Sequence, residues 1–427
     1  SISTSRKVVP YVLVVVGRAI IFLVLCCCIV PYLFIYNYMS WNIYFIFGHQ
    51  TSRYIAAISD SVNIKHSSVD NDFTILKQRK YKLVDVPQLF TDAEEEYNAQ
   101  ILKNTSNILK ILWYNKPLWY GHNEELCVRN MHRCFQSNCI VTYNRSLLKE
   151  SDAVIFAGNI ASFPRSVPLT SSERDPNQVW IFFDLEPAFR YFNLNFKRKE
   201  WRSSFNWTMT YRLDSDIPHP YGTLLTNDNP TEREYRAIFR SKNKFAAWIV
   251  SHCNSVSKRD DFVRLLQKYV PVDIFGHCGT KKCPKKNCRE NVGKEYKFYL
   301  SFENSLCKDY ITEKFFEYFP LDVITVLRGC SDYNHLLPND TYISTADFST
   351  IQDLANFMKS LAENEDQYIL YLKSKDRYVS KSLSWSYCSA LCDICYKLNN
   401  LDKYRMSYND IVTWLENNTC VRASDIK

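Results

Sequence analysis

Between Ile108 and Phe302 the chain repeats one device: a short apolar run, a polar connection, then another apolar run. The runs are ILKILWY (108–114), CIVTYN (139–144), DAVIFAG (152–158), VWIFFDLE (179–186), KFAAWIVSH (244–252), VDIFG (272–276) and KFYLSF (297–302). Short apolar strands interleaved with helical stretches such as DDFVRLLQKY (260–269) predict an α/β fold, with parallel sheets covered by helices on both faces. With 427 residues, 46% of them hydrophobic and 23% charged, the chain can fill two ordinary domains and is neither disordered nor collagen-like in composition. The simplest division places one unit at 108–240 and the other at 241–427.

Composition then excludes several classes. Only nine glycines are present, with no GxGxxG and no GxxxxGK[ST], which removes the usual dinucleotide fingerprint and the P-loop. The net charge is +8, but its cations are spread among many acids. That reads as a solvated surface and not as a nucleic-acid patch, and it fits an enzyme handling an anionic substrate.

The N-terminus predicts a membrane partner. No Asp or Glu occurs from Val8 to Phe47, and AIIFLVLCCCIVPYLFIY (19–36) is long and apolar enough to cross a bilayer. Arg6, Lys7 and Arg18 precede it and the next cation is Arg53, so the positive-inside rule orients the N-terminus to the cytosol. The apolar stretch exceeds a signal-peptide core and no small-x-small cleavage site follows. The expected order is a cytoplasmic tail (1–18), a signal anchor (19–38), a polar stem (39–107) and then the globular part.

Five N-x-[ST] sequons, at Asn104, Asn144, Asn206, Asn339 and Asn417, all follow the apolar run, as do thirteen cysteines. Both agree with an oxidising lumen. Cys278, Cys283 and Cys288 lack the tight CxxC pairs of a zinc site, so disulfides are expected and no metal. Thirteen is odd, so at least one thiol stays free or pairs between chains, which leaves room for a homodimer.

SFENSLCKDYITEKFF (301–316) crowds polar residues between aromatic ones. KFYLSF reads as a strand and DYITEKFFEYF as a helix N-capped by Asp309, with Tyr310, Glu313, Lys314 and Glu317 on one face and Ile311, Phe315, Tyr318 and Phe319 on the other. A loop at the carboxyl end of a parallel strand, entering a helix N-terminus, is where open α/β sheets hold anionic ligands. Lys314 adds positive charge there, Glu313 offers acceptors for ribose hydroxyls, and Glu303, Asn304 and Ser305 complete a candidate nucleotide site.

Together with FNWTMTYRLDSDIPHPYG (205–222), CIVTYNRSLLKESDAVIFAG and VDIFGHCG, this stretch resembles the alpha-1,3-fucosyltransferases over roughly 108–395. The resemblance implies an inverting, GDP-fucose-dependent enzyme of GT-B fold, with two Rossmann-like domains facing a cleft. It also implies a type II Golgi membrane protein. Its substrates would be GDP-fucose and glycans bearing N-acetylglucosamine, either a LacNAc or LacdiNAc antenna or the N-glycan core.

Carried onto this chain, the family's motif puts Tyr310, Glu313 and Lys314 at the donor, with Glu313 on the ribose and Lys314 on the pyrophosphate. It puts Arg259 at the phosphate-binding arginine and His252 where the family usually has Asn. Glu186 becomes the general base, with Asp184 as second choice, because Glu186 abuts Pro187 where the family usually has an intervening residue. Such a base must take the acceptor hydroxyl's proton in a single displacement. Arg259, Lys314 and the helix N-terminus would stabilise the departing diphosphate with no required cofactor and a divalent cation at most stimulatory. Asp214 and Asp216, in DSD, then serve structure or substrate positioning. The CSALCDIC end resembles the family's cysteine-rich terminus and is expected to be disulfide-bonded. The reading from another class is an inactive homologue that binds glycan or nucleotide sugar in the Golgi.

Overall fold

The structure, a computed structural model, describes residues 107–426 apart from 119, 121–126, 129–130, 189–193, 283–286 and 330. The expected tail, anchor and nearly all of the stem lie outside the described residues. Among the described residues no helix is long and apolar enough to cross a membrane.

The first sheet contains β1 (Leu109–Trp113), β2 (Cys139–Thr142), β3 (Ala153–Ala157), β4 (Val179–Asp184), β5 (Trp207–Thr210) and β6 (Ile217–Pro218). Its spatial order is β2-β1-β3-β4-β5-β6, and every pairing is parallel. Strand β7 (Thr223–Thr226) leaves it for a separate ribbon. The next elements are α1 (Tyr235–Ser241), β8 (Lys244–Ile249), α2 (Arg259–Leu266), β9 (Val272–Phe275), α3 (Cys288–Glu295), β10 (Tyr296–Phe302), β11 (Leu306–Cys307), α4 (Glu313–Phe316), β12 (Ile324–Arg328), α5 (Tyr333–Leu336) and β13 (Tyr342–Ser344). They form a second all-parallel sheet of order β13-β12-β10-β8-β9.

The apolar runs are strands because both their faces are covered. Along β3 and β4, Ile155, Ile181 and Phe183 enter one core, while Val154, Phe156, Trp180 and Phe182 enter the opposite one. In the second sheet Ala246, Trp248, Phe298 and Leu300 pack on one side, and Ala247 and Tyr299 on the other. This two-sided burial is the physical basis of parallel sheets, whose crossover helices occupy both faces.

Helices α6 (Ile351–Glu363) and α7 (Glu365–Asp376) cover the second sheet, and β14 (Tyr378–Lys381) pairs with β7. Helix α8 (Leu383–Leu398) then returns to the first sheet's core. Its Cys388, Cys392 and Cys395 share one helical face and bond to Cys127, Cys134 and Cys139. Further disulfides join Cys253 to Cys278 and Cys307 to Cys420, and Cys288 is also bonded. The cysteine-rich end is therefore a clamp holding α8 to β2 and the segment before it.

Candidate active site

Each parallel sheet has one place where successive crossovers leave in opposite directions, and the loops there splay apart to form a crevice. In the first sheet it lies between β1 and β3, and in the second between β8 and β10.

The first crevice is a cavity of about 460 Å³ lined by Lys116, Pro117 and Leu118 after β1, Ala157 at the end of β3 and 159–162 beyond it, Phe183 and Asp184 at the end of β4, and Glu186 just after it. Asp184 ends β4, is buried, and accepts a hydrogen bond at Oδ1 from the Glu186 amide at 2.8 Å. Burial pushes its carboxyl well above the usual range, and the Glu186 charge pushes the same way. Glu186 is half-buried at the cavity wall.

The second crevice is stitched by its own polar groups. Arg259, the first residue of α2, is buried and donates to the carbonyls of Phe302 (2.7 Å) and His252 (3.0 Å). Burial lowers its affinity for a proton, with the Glu303 charge opposing. His252 meets Arg259 through its backbone carbonyl. Ser257 fixes the loop after β10 by donating to the carbonyls of Glu303 and Asn304. Oδ1 of Asn304 and Oγ of the buried Ser305 have no hydrogen-bond partner among the described residues.

Helix α4 departs from expectation. It spans Glu313–Phe316 and is N-capped by Thr312, whose hydroxyl accepts from the Lys314 amide. Asp309 is no cap: it has φ +58° and accepts from the Leu213 amide at 3.1 Å. Asp is among the few non-glycine residues that enter this left-handed conformation with little penalty. Tyr310 accordingly precedes the helix, buried, and does not share a helical face with Glu313 and Lys314. A four-residue helix has little macrodipole, so the full charge of Lys314 carries most of the attraction for an anion.

That charge is built in. Lys314 Nζ lies 2.9 Å from Glu313, 3.3 Å from Glu303 and 2.8 Å from the Thr312 hydroxyl. Burial disfavours the ammonium, but the two carboxylates outweigh it and raise Lys314 above the usual lysine range. Burial raises Glu303, with Lys314 pulling it down, and Glu303 accepts from the Thr312 amide and hydroxyl. Glu303 thus orients the cation instead of facing solvent. Glu313 is exposed, and Lys314 holds its carboxyl below the usual range against the effect of burial.

Two tyrosines join the crevices. Tyr221 donates to the Leu185 carbonyl at 2.8 Å, directly beside Glu186, and packs edge-on to Tyr310 at 5.9 Å. Burial first, and then the charges of Glu186, Glu303 and Glu313, raise both phenols far above the usual tyrosine range. The candidate base of one crevice and the polar cluster of the other therefore act on the same pair of rings. Gly222 permits this approach, since a Cβ there would stand 2.4 Å from the Phe316 ring of α4. The sequence reading missed Tyr221, although it sits inside the quoted 205–222 motif; no local pattern marks it.

The DSD segment is consumed by structure. Asp214 takes both guanidinium arms of Arg212 (2.8 and 2.7 Å) and Lys308 at 3.0 Å. Asp216 accepts from Thr208 and from the Tyr408 hydroxyl. Among the described residues no group of three His, Cys, Asp or Glu could hold a metal ion. Asn206 is also committed: its amide donates to the Met406 carbonyl and accepts from the Trp180 amide. Asn144, Asn339 and Asn417 are exposed, while Asn104 lies outside the described residues.

The comparisons with known proteins cover both halves. The profile described as "Fucosyltransferase, N-terminal" matches residues 104–222, and "Glycosyltransferase family 10 (fucosyltransferase) C-term" matches 239–414. The chain is 36% identical to "Alpha-(1,3)-fucosyltransferase C" of Drosophila melanogaster over 286 residues, 62% of this chain and 65% of that protein. With "Glycoprotein 3-alpha-L-fucosyltransferase A" of the same fly it shares 31% over 328 residues, 74% of this chain and 62% of that one. It thus spans slightly under two thirds of either fly protein's length. With "3-galactosyl-N-acetylglucosaminide 4-alpha-L-fucosyltransferase FUT3" of Bos taurus it shares 32% over 313 residues, 72% of this chain and 81% of that one. The chain belongs to glycosyltransferase family 10, the fucosyltransferases.

Proposed function

We propose that this protein transfers L-fucose from GDP-fucose, in alpha-1,3 linkage and with inversion, to N-acetylglucosamine of glycoprotein or glycolipid glycans. The observation that carries this reading is the meeting of the two crevices at Tyr221 and Tyr310, with Glu186 on one side and the Glu303, Glu313 and Lys314 cluster on the other. The names of the relatives support the reaction and the acceptor class. Two parallel sheets, each with its own crevice, support a GT-B arrangement, and the N-terminal apolar run supports a type II Golgi protein with a lumenal catalytic part.

Glu186, at the wall of the acceptor crevice, takes the proton of the attacking hydroxyl as the new bond to fucose forms. The bond from fucose to the diphosphate breaks in the same step. Lys314 and Arg259 stabilise the charge that develops on the leaving diphosphate, and Glu313 holds the ribose. Glu303 keeps Lys314 oriented throughout. No required divalent cation is placed on the DSD segment, whose carboxylates are engaged with protein donors that a metal would have to displace.

The test is fucose transfer by the full chain from GDP-fucose to a panel of LacNAc, LacdiNAc and N-glycan core acceptors, with and without EDTA. Transfer that survives EDTA is expected, and the preferred acceptor names the substrate. GDP binding without transfer to any acceptor would favour an inactive binder.

A further inference from the structure

A buried polar atom without a partner is costly, about 1–3 kcal/mol, and persists where a ligand uses it. In the first crevice Asp184 presents such an atom. Its side chain is 6% exposed, its Oδ1 is occupied by the Glu186 amide, and its Oδ2 has no partner among the described residues although the residue lines the cavity. The wall around it is largely apolar, with Pro117, Leu118, Ile160, Ala161 and Phe183.

We propose that Asp184 is an acceptor-binding residue, whose Oδ2 hydrogen-bonds an oxygen of the sugar in the first crevice while Oδ1 holds the Glu186 backbone in place. The inference rests on reading that crevice as the acceptor site. Two carboxylates then divide the work two residues apart. Asp184, the more deeply buried, is the carboxyl that burial pushes toward the protonated form, in which Oδ2 would donate to a sugar hydroxyl or acetamido oxygen. Glu186, half-buried in the same wall, is left as the proton acceptor. Environments that push neighbouring carboxyls toward different protonation states are how one site runs both roles. The burial and the Glu186 charge that raise Asp184 support this assignment. A neutral acid also avoids placing two anions beside a nucleophilic hydroxyl.

The test compares Asp184→Ala and Asp184→Asn in the full chain, with kcat and acceptor KM measured separately and GDP binding as the check on folding. Asp184→Ala loses both contacts and should raise acceptor KM about twentyfold. Asn keeps an acceptor for the Glu186 amide and puts an N–H donor where the O–H stood, so Asp184→Asn should recover KM to within about threefold of wild type. A hundredfold or greater fall in kcat for Asp184→Asn would overturn the proposal, since a charged Asp184 would then be the base. An unchanged KM in Asp184→Ala would overturn it too. If Asp184→Ala fails to bind GDP, the Asn variant decides alone. If the wild-type chain transfers nothing, the transferase reading fails separately, and glycan binding by saturation-transfer NMR replaces KM in the same comparison.

Discussion

The two crevices arise from the same topology yet are finished differently. The first is an open cavity with largely apolar walls, whose polar lining is Asp184 and Glu186 together with Lys116, Asn159 and Ser162. The second is packed with charge-assisted bonds, and Arg259, Glu303, Thr312 and Lys314 are already partnered before any ligand arrives. A neutral sugar is held by shape and a few hydrogen bonds, so its site is left open. A nucleotide diphosphate needs preorganised cations, and those require internal counter-charges to keep them in position while they are empty. On the proposed function, the open crevice of the first half suits the acceptor and the charged crevice of the second suits the donor.

That assignment breaks most decisively at Glu186. Glu186→Gln should lower kcat about a thousandfold while the GDP dissociation constant stays put, as measured by single-turnover kinetics and calorimetry. Retained turnover would move the base elsewhere. Lys314→Ala tests the other half: GDP affinity should drop about 10- to 100-fold, with acceptor binding untouched. Equal weakening of both ligands would mean that the crevices are not separable.

The smallest effect concerns stability. Behind Phe183, His219 is fully buried between Tyr120, which it contacts at Nε2, and Ser386, and burial lowers it to about 3. Below pH 6.5 the unfolded chain binds a proton there that the folded chain does not, so stability falls as pH drops from 6.5 toward 3. Chemical denaturation should lose about 1 kcal/mol from this group between pH 6.5 and 5.5, and His219→Gln should flatten that part of the slope. An unchanged slope would show that other groups set the acid limit of the first half.

Much of this architecture was readable locally. Every apolar run read as a strand is one, because a parallel strand buried on both faces leaves a continuous apolar signature. The 301–316 stretch also announced polar function between aromatic anchors. The start of α4 was misread because Asp309, a good cap by type, is drawn away by the Leu213 amide, a contact 96 residues distant. The same loss of range hid Tyr221, which matters only because Gly222 lets it lie against α4.

By itself the sequence determined the class of fold, the strands and the chemical inventory: two candidate carboxylates, two cations and cysteines suited to an oxidising compartment. Each is a property of residue type and short-range period. The tertiary structure decided that both carboxylates line one cavity and that Asp184 is the more deeply buried. It also decided that Glu303 serves Lys314, that DSD is spent on Arg212 and Thr208, and that α8 is clamped to the first half by three disulfides. Those outcomes depend on contacts between residues tens to hundreds of positions apart, and desolvation and pairing, which set the charge of a buried group, exist only once such contacts form.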